Sequence, residues 1–228
     1  MRQEQEQLNV TANKLVSELV SGAVKLHQAR VQTQIDIIPN YKLGKENIAS
    51  CQLVLDREEL LKRLPSGGVV AELGVDQGGF SAAILEHNAP SQLHLVDIWG
   101  DARYHEGKAQ GVFAKFSEEL KTGKVAITRA LSLDAVDAFA DETFDWIYID
   151  TDHSYATTIA ELRAWAPKVK ANGFIAGHDY TMGNLATGYK YGVVEAVAEF
   201  CVQNGWKLSY LTADYNESNS FAISRIMN

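Results

Sequence analysis

From Val69 onward, short apolar runs that fit strands alternate with stretches that fit helices, and this alternation restricts the chain to few architectures. The strands read as Val69–Gly74, Gln92–Asp97, Val125–Arg129, Phe144–Asp150 and Gly173–His178. Helical patterns lie between them, to about His87, near Lys108–Lys121, over Leu133–Phe139 and over Tyr155–Val169. A strand reaches a parallel neighbour only through a crossover, and a helix is the usual crossover. The order therefore predicts a doubly wound α/β sheet, mostly parallel and covered by helices on both faces. The C-terminal part departs from strict alternation. A helix carrying Val193, Val194, Val197, Phe200 and Cys201 leads past Gly205 into Trp206–Thr212, and polar Ala213–Asn219 separates that strand from Ser220–Ile226. Two strands with no helix between them predict an antiparallel pair at one edge, which brings the sheet to seven strands.

The segment before this core reads as helical. Leu8, Ala12, Leu15, Leu19, Ala23 and Leu26 recur at steps of three and four and share one helix face. Gly22 inside the pattern costs about 1 kcal/mol relative to alanine and allows a break. A second helix, Asp56 to Leu64, opens on an aspartate suited to capping and is stopped by Pro65-Ser66-Gly67-Gly68. The expected division is a helical extension over 1–66 and one cofactor-binding domain over 67–228. The extension could cover a site, join two copies into a homo-oligomer, or pack on its own domain.

Composition narrows the partners. The 228 residues are 46% hydrophobic and 22% charged with net charge −8, so neither nucleic acid nor an anionic membrane is favoured by bulk charge. Polar Met1–Gln7 does not resemble a secretory signal, and no apolar run of about 18 residues suggests a membrane span. A cytoplasmic location is the expectation. Cys51 and Cys201 lack the spacing of a zinc or redox motif.

The most informative stretch is Val69-Val-Ala-Glu-Leu-Gly-Val-Asp-Gln-Gly-Gly-Phe-Ser81. A strand runs into Glu72 and Gly74, then Gly78-Gly79, and a helix begins near Phe80. Glycines let the backbone turn sharply and approach a ligand, and the new helix offers unpaired N–H groups to an anion. Asp97 ends the following strand, where a carboxylate can accept from ribose hydroxyls. The spacing Gly74, Gly78, Gly79 is not the dinucleotide fingerprint. Glu72 would repel a pyrophosphate but suit an amine or another cation. These residues read as a nucleoside-cofactor site; an ordinary strand–helix turn with a strand-ending aspartate also fits them.

Glu72-x-Gly74-x-x-x-Gly78-Gly79, Asp97 and the closing strand pair resemble class I S-adenosylmethionine-dependent methyltransferases. The resemblance implies that Glu72, Gly74, Gly78 and Ser81 hold the methionine part and Asp97 the ribose. It places Trp99 near the adenine, Ser132 at the adenine edge, and Asp150 beside the cofactor as well.

Two further strand ends carry polar chemistry. Phe144–Asp150 runs into Thr151-Asp152-His153, and Gly173–His178 into Asp179-Tyr180. Neighbouring strands of a doubly wound sheet end in one crevice, so Asp150, Asp152, His153, His178 and Asp179 are expected to converge. Grouped carboxylates call for a cation, and hard oxygen ligands suit Mg²⁺ or Mn²⁺. Such a metal would lower the pKa of a bound hydroxyl while a nearby base takes its proton. Helix capping is the other use for these side chains, above all for Asp152.

The run Ile-Asp-Thr-Asp-His-Ser-Tyr155 with Gly-His-Asp-Tyr180 is similar to the metal-dependent small-molecule O-methyltransferases, including those acting on macrolide and aminocoumarin sugars, and to cephalosporin-hydroxylase-like proteins. The resemblance implies Asp150, His178 and Asp179 as metal ligands and Asp152, His153 or His178 as the base. Many relatives carry a carboxylate where this chain has His178, which leaves the choice of metal open. The expected function is metal-assisted methylation of a hydroxyl on a small molecule. A non-methylating metal enzyme and a non-catalytic S-adenosylmethionine-binding protein are the alternatives. Tyr180–Tyr191, with two glycines and three tyrosines, reads either as a loop over the substrate or as plain connection.

Overall fold

The computed structural model describes residues 2–184, 189–214 and 217–227. Met1–Pro39 with Gly183–Lys190 form one compact unit, and Asn40–Met182 with Tyr191–Asn228 form the other.

The first unit is chiefly α1 (Arg2–Ile37), which runs through Gly22 without a break. Leu15, Leu19 and Leu26 on it are exposed; the side chain of Leu8 lies outside the described ones.

The second unit opens with α2 (Lys45–Ile48), β1 (Gln52–Val54) and α3 (Arg57–Arg63), the last capped by Asp56, which accepts from the Glu59 N–H at 2.8 Å. Next come β2 (Val69–Leu73), α4 (Gly79–His87), β3 (Gln92–Val96), α5 (Glu106–Lys115), α6 (Ser117–Thr122) and β4 (Val125–Thr128). The single helix expected near Lys108–Lys121 is thus two, broken at Phe116. After α7 (Ser132–Ala135) come β5 (Phe144–Ile149), α8 (Tyr155–Trp165) and β6 (Val169–Gly177). β7 (Gly183–Asn184) and β8 (Tyr189–Lys190) pair antiparallel within the first unit. Residues 185–188 of the tyrosine-bearing loop lie outside the described part. The chain closes with α9 (Val193–Asn204), β9 (Trp206–Thr212) and β10 (Phe221–Arg225).

The seven expected strands share one sheet, and β1 adds an eighth, in the order β1-β9-β10-β6-β5-β2-β3-β4. β10 runs antiparallel to both of its neighbours, β6 and β9, and β1 pairs parallel outside β9. The C-terminal pair therefore does not form the edge. β10 is inserted between two parallel strands, and β1 satisfies the far side of β9. Alternation along the strands sends side chains to two cores. Ala71, Leu73, Ile147, Ile149 and Ile175 meet Ile159 and Leu162 of α8 and Val197 and Phe200 of α9. Val70, Leu93, Leu95, Trp146 and Tyr148 meet Leu60 and Leu61 of α3, Ile84 of α4 and Val112 of α5. Among the described residues no helix is long and apolar enough to cross a membrane.

Candidate active site

The sheet ladder continues one residue past each central strand. The N–H of Gly74 donates to Val96 O at 2.9 Å, that of Asp97 to Thr128 O at 3.2 Å, that of Asp150 to Leu73 O at 2.8 Å and that of His178 to Ile149 O at 3.0 Å. Gly74, Asp97, Asp150 and His178 are thereby fixed side by side at one end of the sheet. Four of the six non-glycine residues described with positive φ lie just beyond these points: Asp76, Trp99, His153 and Asp179. Backbone held in that region costs on the order of 1 kcal/mol per residue and collects at functional sites.

The glycine turn is built to closed tolerances on one side and open on the other. Gly74 has φ +87°, and a Cβ there would meet the Asp150 carbonyl oxygen at 1.9 Å. Gly78, at φ +67°, caps α4, and a Cβ on it would meet the Phe116 ring at 2.8 Å. Gly79 next to it has nothing within 4 Å of the same position. The protein's own packing requires the first two glycines, whereas Gly79 borders open space where a ligand can come against bare backbone. Glu72 follows Val70 by two and so points into the α3–α5 core, where it is 2% exposed. Ser81 of α4 donates to it. Burial raises its pKa to about 8 against the opposing Ser81 bond. A buried carboxyl of this kind gains its charge readily only when a cation arrives, which suits the ammonium of an amino-acid group.

Asp97 is engaged by backbone. Its Oδ2 accepts from the Val75 and Asp76 N–H groups at 2.8 and 3.1 Å, and its Oδ1 from the Trp99 N–H at 2.9 Å. It ties the loops after β2 and β3 together, with lone pairs left over for a ligand. Trp99 is 1% exposed, and its indole donates to Asp76 O at 2.8 Å. The ring supports the glycine turn from within the core rather than presenting a face at the surface. Ser132 opens α7 and donates to Glu161 of α8.

At the ends of β5 and β6, four of the five expected polar residues come together. His153 Nδ1 lies 3.0 Å from Asp179 Oδ2 and 4.0 Å from Asp150 Oδ1. His178 Nδ1 lies 3.6 Å from Asp179 Oδ2 and 3.8 Å from Asp150 Oδ2. One ligand atom each from Asp150, His153 and Asp179 falls within 4.8 Å of the others. Two carboxylates and an imidazole at that spacing are a donor set that fits a divalent cation. Asp152 is turned away from the group. It accepts from the Ser154 N–H at 2.9 Å and from Thr157 Oγ1 at 2.8 Å, at the start of α8. His178 Nε2 is buried without a hydrogen-bond partner among the described residues and borders a small cavity with Thr151, His153, Thr158, Val193 and Phe221.

The charges of the group balance internally. Burial opposes the charged form of both histidines, but bonding to Asp179 and the charges of Asp150 and Asp179 outweigh it and raise both pKa values. Burial likewise opposes the Asp179 carboxylate, yet bonds from His153 and His178 hold its pKa far below the usual carboxylate range. Asp150, also buried, stays raised despite the two histidines. A cation placed here would do what the imidazolium protons do in its absence.

Two residues of this region carry no sequence signal strong enough to single them out. Glu161 is fully buried on α8 between two apolar neighbours, Ile159 and Leu162; a charge on an apolar helix face was the available hint. Arg57, in the first turn of α3, lies 5.0 Å over the Phe80 ring and 3.1 Å from Glu217.

A turn that borders open space and a carboxyl-rich crevice beside it constitute a candidate site. Residues 71–180 match the family model described as a methyltransferase domain. The matched stretch begins in β2 and ends just past Asp179, so it contains every strand end described above. No curated protein sequence matches the chain. Among solved structures, a protein from Corynebacterium glutamicum is similar with TM-score 0.53 at 14% identity, over 89% of this chain and 91% of that one. A putative methyltransferase from Streptococcus mutans in complex with SAH gives 0.54 at 13%, over 75% and 96%. A SAM-dependent methyltransferase from Aquifex aeolicus gives 0.54 at 14%, over 74% and 89%. These solved structures, at 13–14% identity, share one fold with this chain, the Rossmann-like methyltransferase fold.

Proposed function

We propose that this chain transfers a methyl group from S-adenosylmethionine to a hydroxyl of a small molecule, assisted by a divalent metal held by Asp150, His153 and Asp179. The observation that carries the reading is contact between the two halves of the site. The Asp150 carbonyl lies against Gly74, so the glycine turn and the acid–histidine group share a wall.

Glu72 and Ser81 would hold the cofactor's ammonium, Asp97 its ribose, and Gly79 its close approach to the backbone. Bound S-adenosylmethionine supplies an electrophilic methyl on a sulfonium, and a divalent metal would lower the pKa of the acceptor hydroxyl. With His153 in the ligand set and Asp152 engaged at the start of α8, His178 is the group left to accept the hydroxyl proton, at its unpaired Nε2. The acceptor oxygen would take the methyl group as the sulfonium gives it up, S-adenosylhomocysteine would be the leaving group, and His178 would keep the hydroxyl proton. Proximity and alignment supply much of the acceleration in such a transfer.

The test is methyl transfer from labelled S-adenosylmethionine to a panel of phenols, sugars and polyketide alcohols, with Mn²⁺ or with chelator. Product that depends on metal and disappears in Asp150→Asn supports the reading. Product formed equally in chelator would remove the metal from it, and product on nitrogen or carbon acceptors alone would remove the hydroxyl.

A further inference from the structure

Glu161 is a carboxylate with 0% exposure on the core-facing side of α8. Its two oxygens are taken by hydroxyls from two different strand ends. Ser132, where the loop after β4 enters α7, donates to Oε1, and Thr151, next to Asp150 in the loop after β5, donates to Oε2 at 2.8 Å. No cation among the described residues pairs with it. Burial pushes its carboxyl up to about 7, against the pull of the two hydroxyl bonds. An apolar side chain would fill this place beside Ile159 and Leu162 at lower free-energy cost, since a buried ionisable group without a partner charge is destabilising. What the glutamate adds is a link between two loops that no sheet hydrogen bond joins.

We infer that Glu161 is a positioning residue that couples the cofactor-side loop bearing Ser132 to the metal-side loop bearing Asp150 and His153. The inference rests on the function proposed above, which assigns Asp97 to the cofactor and Asp150 to the metal; the Asp97 N–H donates to Thr128 O at the end of β4, so the segment bearing Ser132 leaves the sheet beside the cofactor residue. Seating a cofactor against the first loop fixes Ser132, hence Glu161 and Thr151, hence the spacing of the metal ligands. Coupling of this kind is reciprocal, so each ligand must tighten the other by the same factor.

The test is calorimetric titration with S-adenosylhomocysteine, with and without Mn²⁺, on the whole chain and its variants. The wild type should bind S-adenosylhomocysteine roughly 5-fold or more tightly with Mn²⁺ present. Glu161→Met keeps the volume, removes both bonds and removes the buried charge, so it should fold with equal or higher melting temperature while the Mn²⁺ factor falls towards one. Glu161→Gln retains hydrogen bonding to both hydroxyls and should keep most of the factor. A purely structural glutamate would show the opposite pattern: a lower melting temperature, both affinities weakened alike and the factor unchanged. That result, or an uncoupled wild type that binds both ligands, overturns the inference and leaves the proposed function standing. A wild type that binds no S-adenosylhomocysteine overturns both.

Discussion

His153 Nδ1 lies 3.0 Å from Asp179 Oδ2, so the loop after β5 and the end of β6 are joined through two side chains that also face Asp150. Both residues hold left-handed backbone, φ +62° and +54°, which aims their side chains at one point. Strain kept at two adjacent positions is expected where geometry serves a ligand.

The first expected outcome follows from that geometry. Asp179→Asn removes the charge that both histidines face, and it should lower Mn²⁺ affinity by roughly 10-fold or more, as measured by electron paramagnetic resonance of free Mn²⁺. S-adenosylhomocysteine binding without metal should change little, because Glu72, Gly79 and Asp97 are untouched.

Gly74 and Gly79 separate packing from ligand approach. Gly74→Ala places a Cβ against the Asp150 carbonyl at φ +87°, and should cost on the order of 3 kcal/mol or more in chemical denaturation. Gly79→Ala meets no protein atom within 4 Å and should leave folding stability within about 1 kcal/mol of wild type. Its effect should appear as weaker binding of S-adenosylhomocysteine.

Glu72 gives a pH signature. Its folded pKa of about 8 lies above the 4.5 of an unperturbed glutamate, so the folded state retains a proton that the unfolded state has lost. Its contribution to stability is complete below about 4.5 and is lost as pH rises through 8. Glu72→Gln should therefore gain stability relative to wild type as pH is raised from 5 to 8, by up to a few kcal/mol. S-adenosylhomocysteine should narrow that gap in the wild type, because its ammonium favours the carboxylate.

Asp152 distinguishes bracing of a helix start from catalysis. Its carboxylate bonds to Ser154 and Thr157 predict a stability loss of about 1 kcal/mol in Asp152→Ala. Methyl transfer by the folded fraction should stay near the wild-type rate, whereas His178→Ala should lose roughly 100-fold or more, in line with removal of a general base.

Strand ends were the legible part of this molecule. Period and alternation locate β2, β3, β5 and β6, and the residue after each strand is where a polar side chain must emerge from the sheet, which is why Gly74, Asp97, Asp150 and His178 could be named from sequence. β1 was not legible because three residues, with Leu53 exposed, carry no period. The insertion of β10 between β6 and β9 is set by register with distant strands, which adjacency in sequence does not encode. Asp152 lies two residues from Asp150 with the same side chain, yet it bonds to Ser154, the cap of the helix beginning at Tyr155, and to the Thr157 hydroxyl. Trp99 reads as an aromatic near a cofactor; the backbone acceptor of its indole, Asp76 O, lies 23 residues away in sequence and only the fold brings it there. Glu161 depends on hydroxyls 29 and 10 residues away, and only the fold brings them to it.

The most direct measurement of the central claim is calorimetric titration of the wild type and Asp150→Asn with S-adenosylhomocysteine, in Mn²⁺ and in chelator. The account predicts that the wild type binds in both conditions and more tightly in Mn²⁺, and that Asp150→Asn binds without any response to Mn²⁺. No binding by the wild type at millimolar ligand, or a Mn²⁺ response that survives in Asp150→Asn, would contradict it.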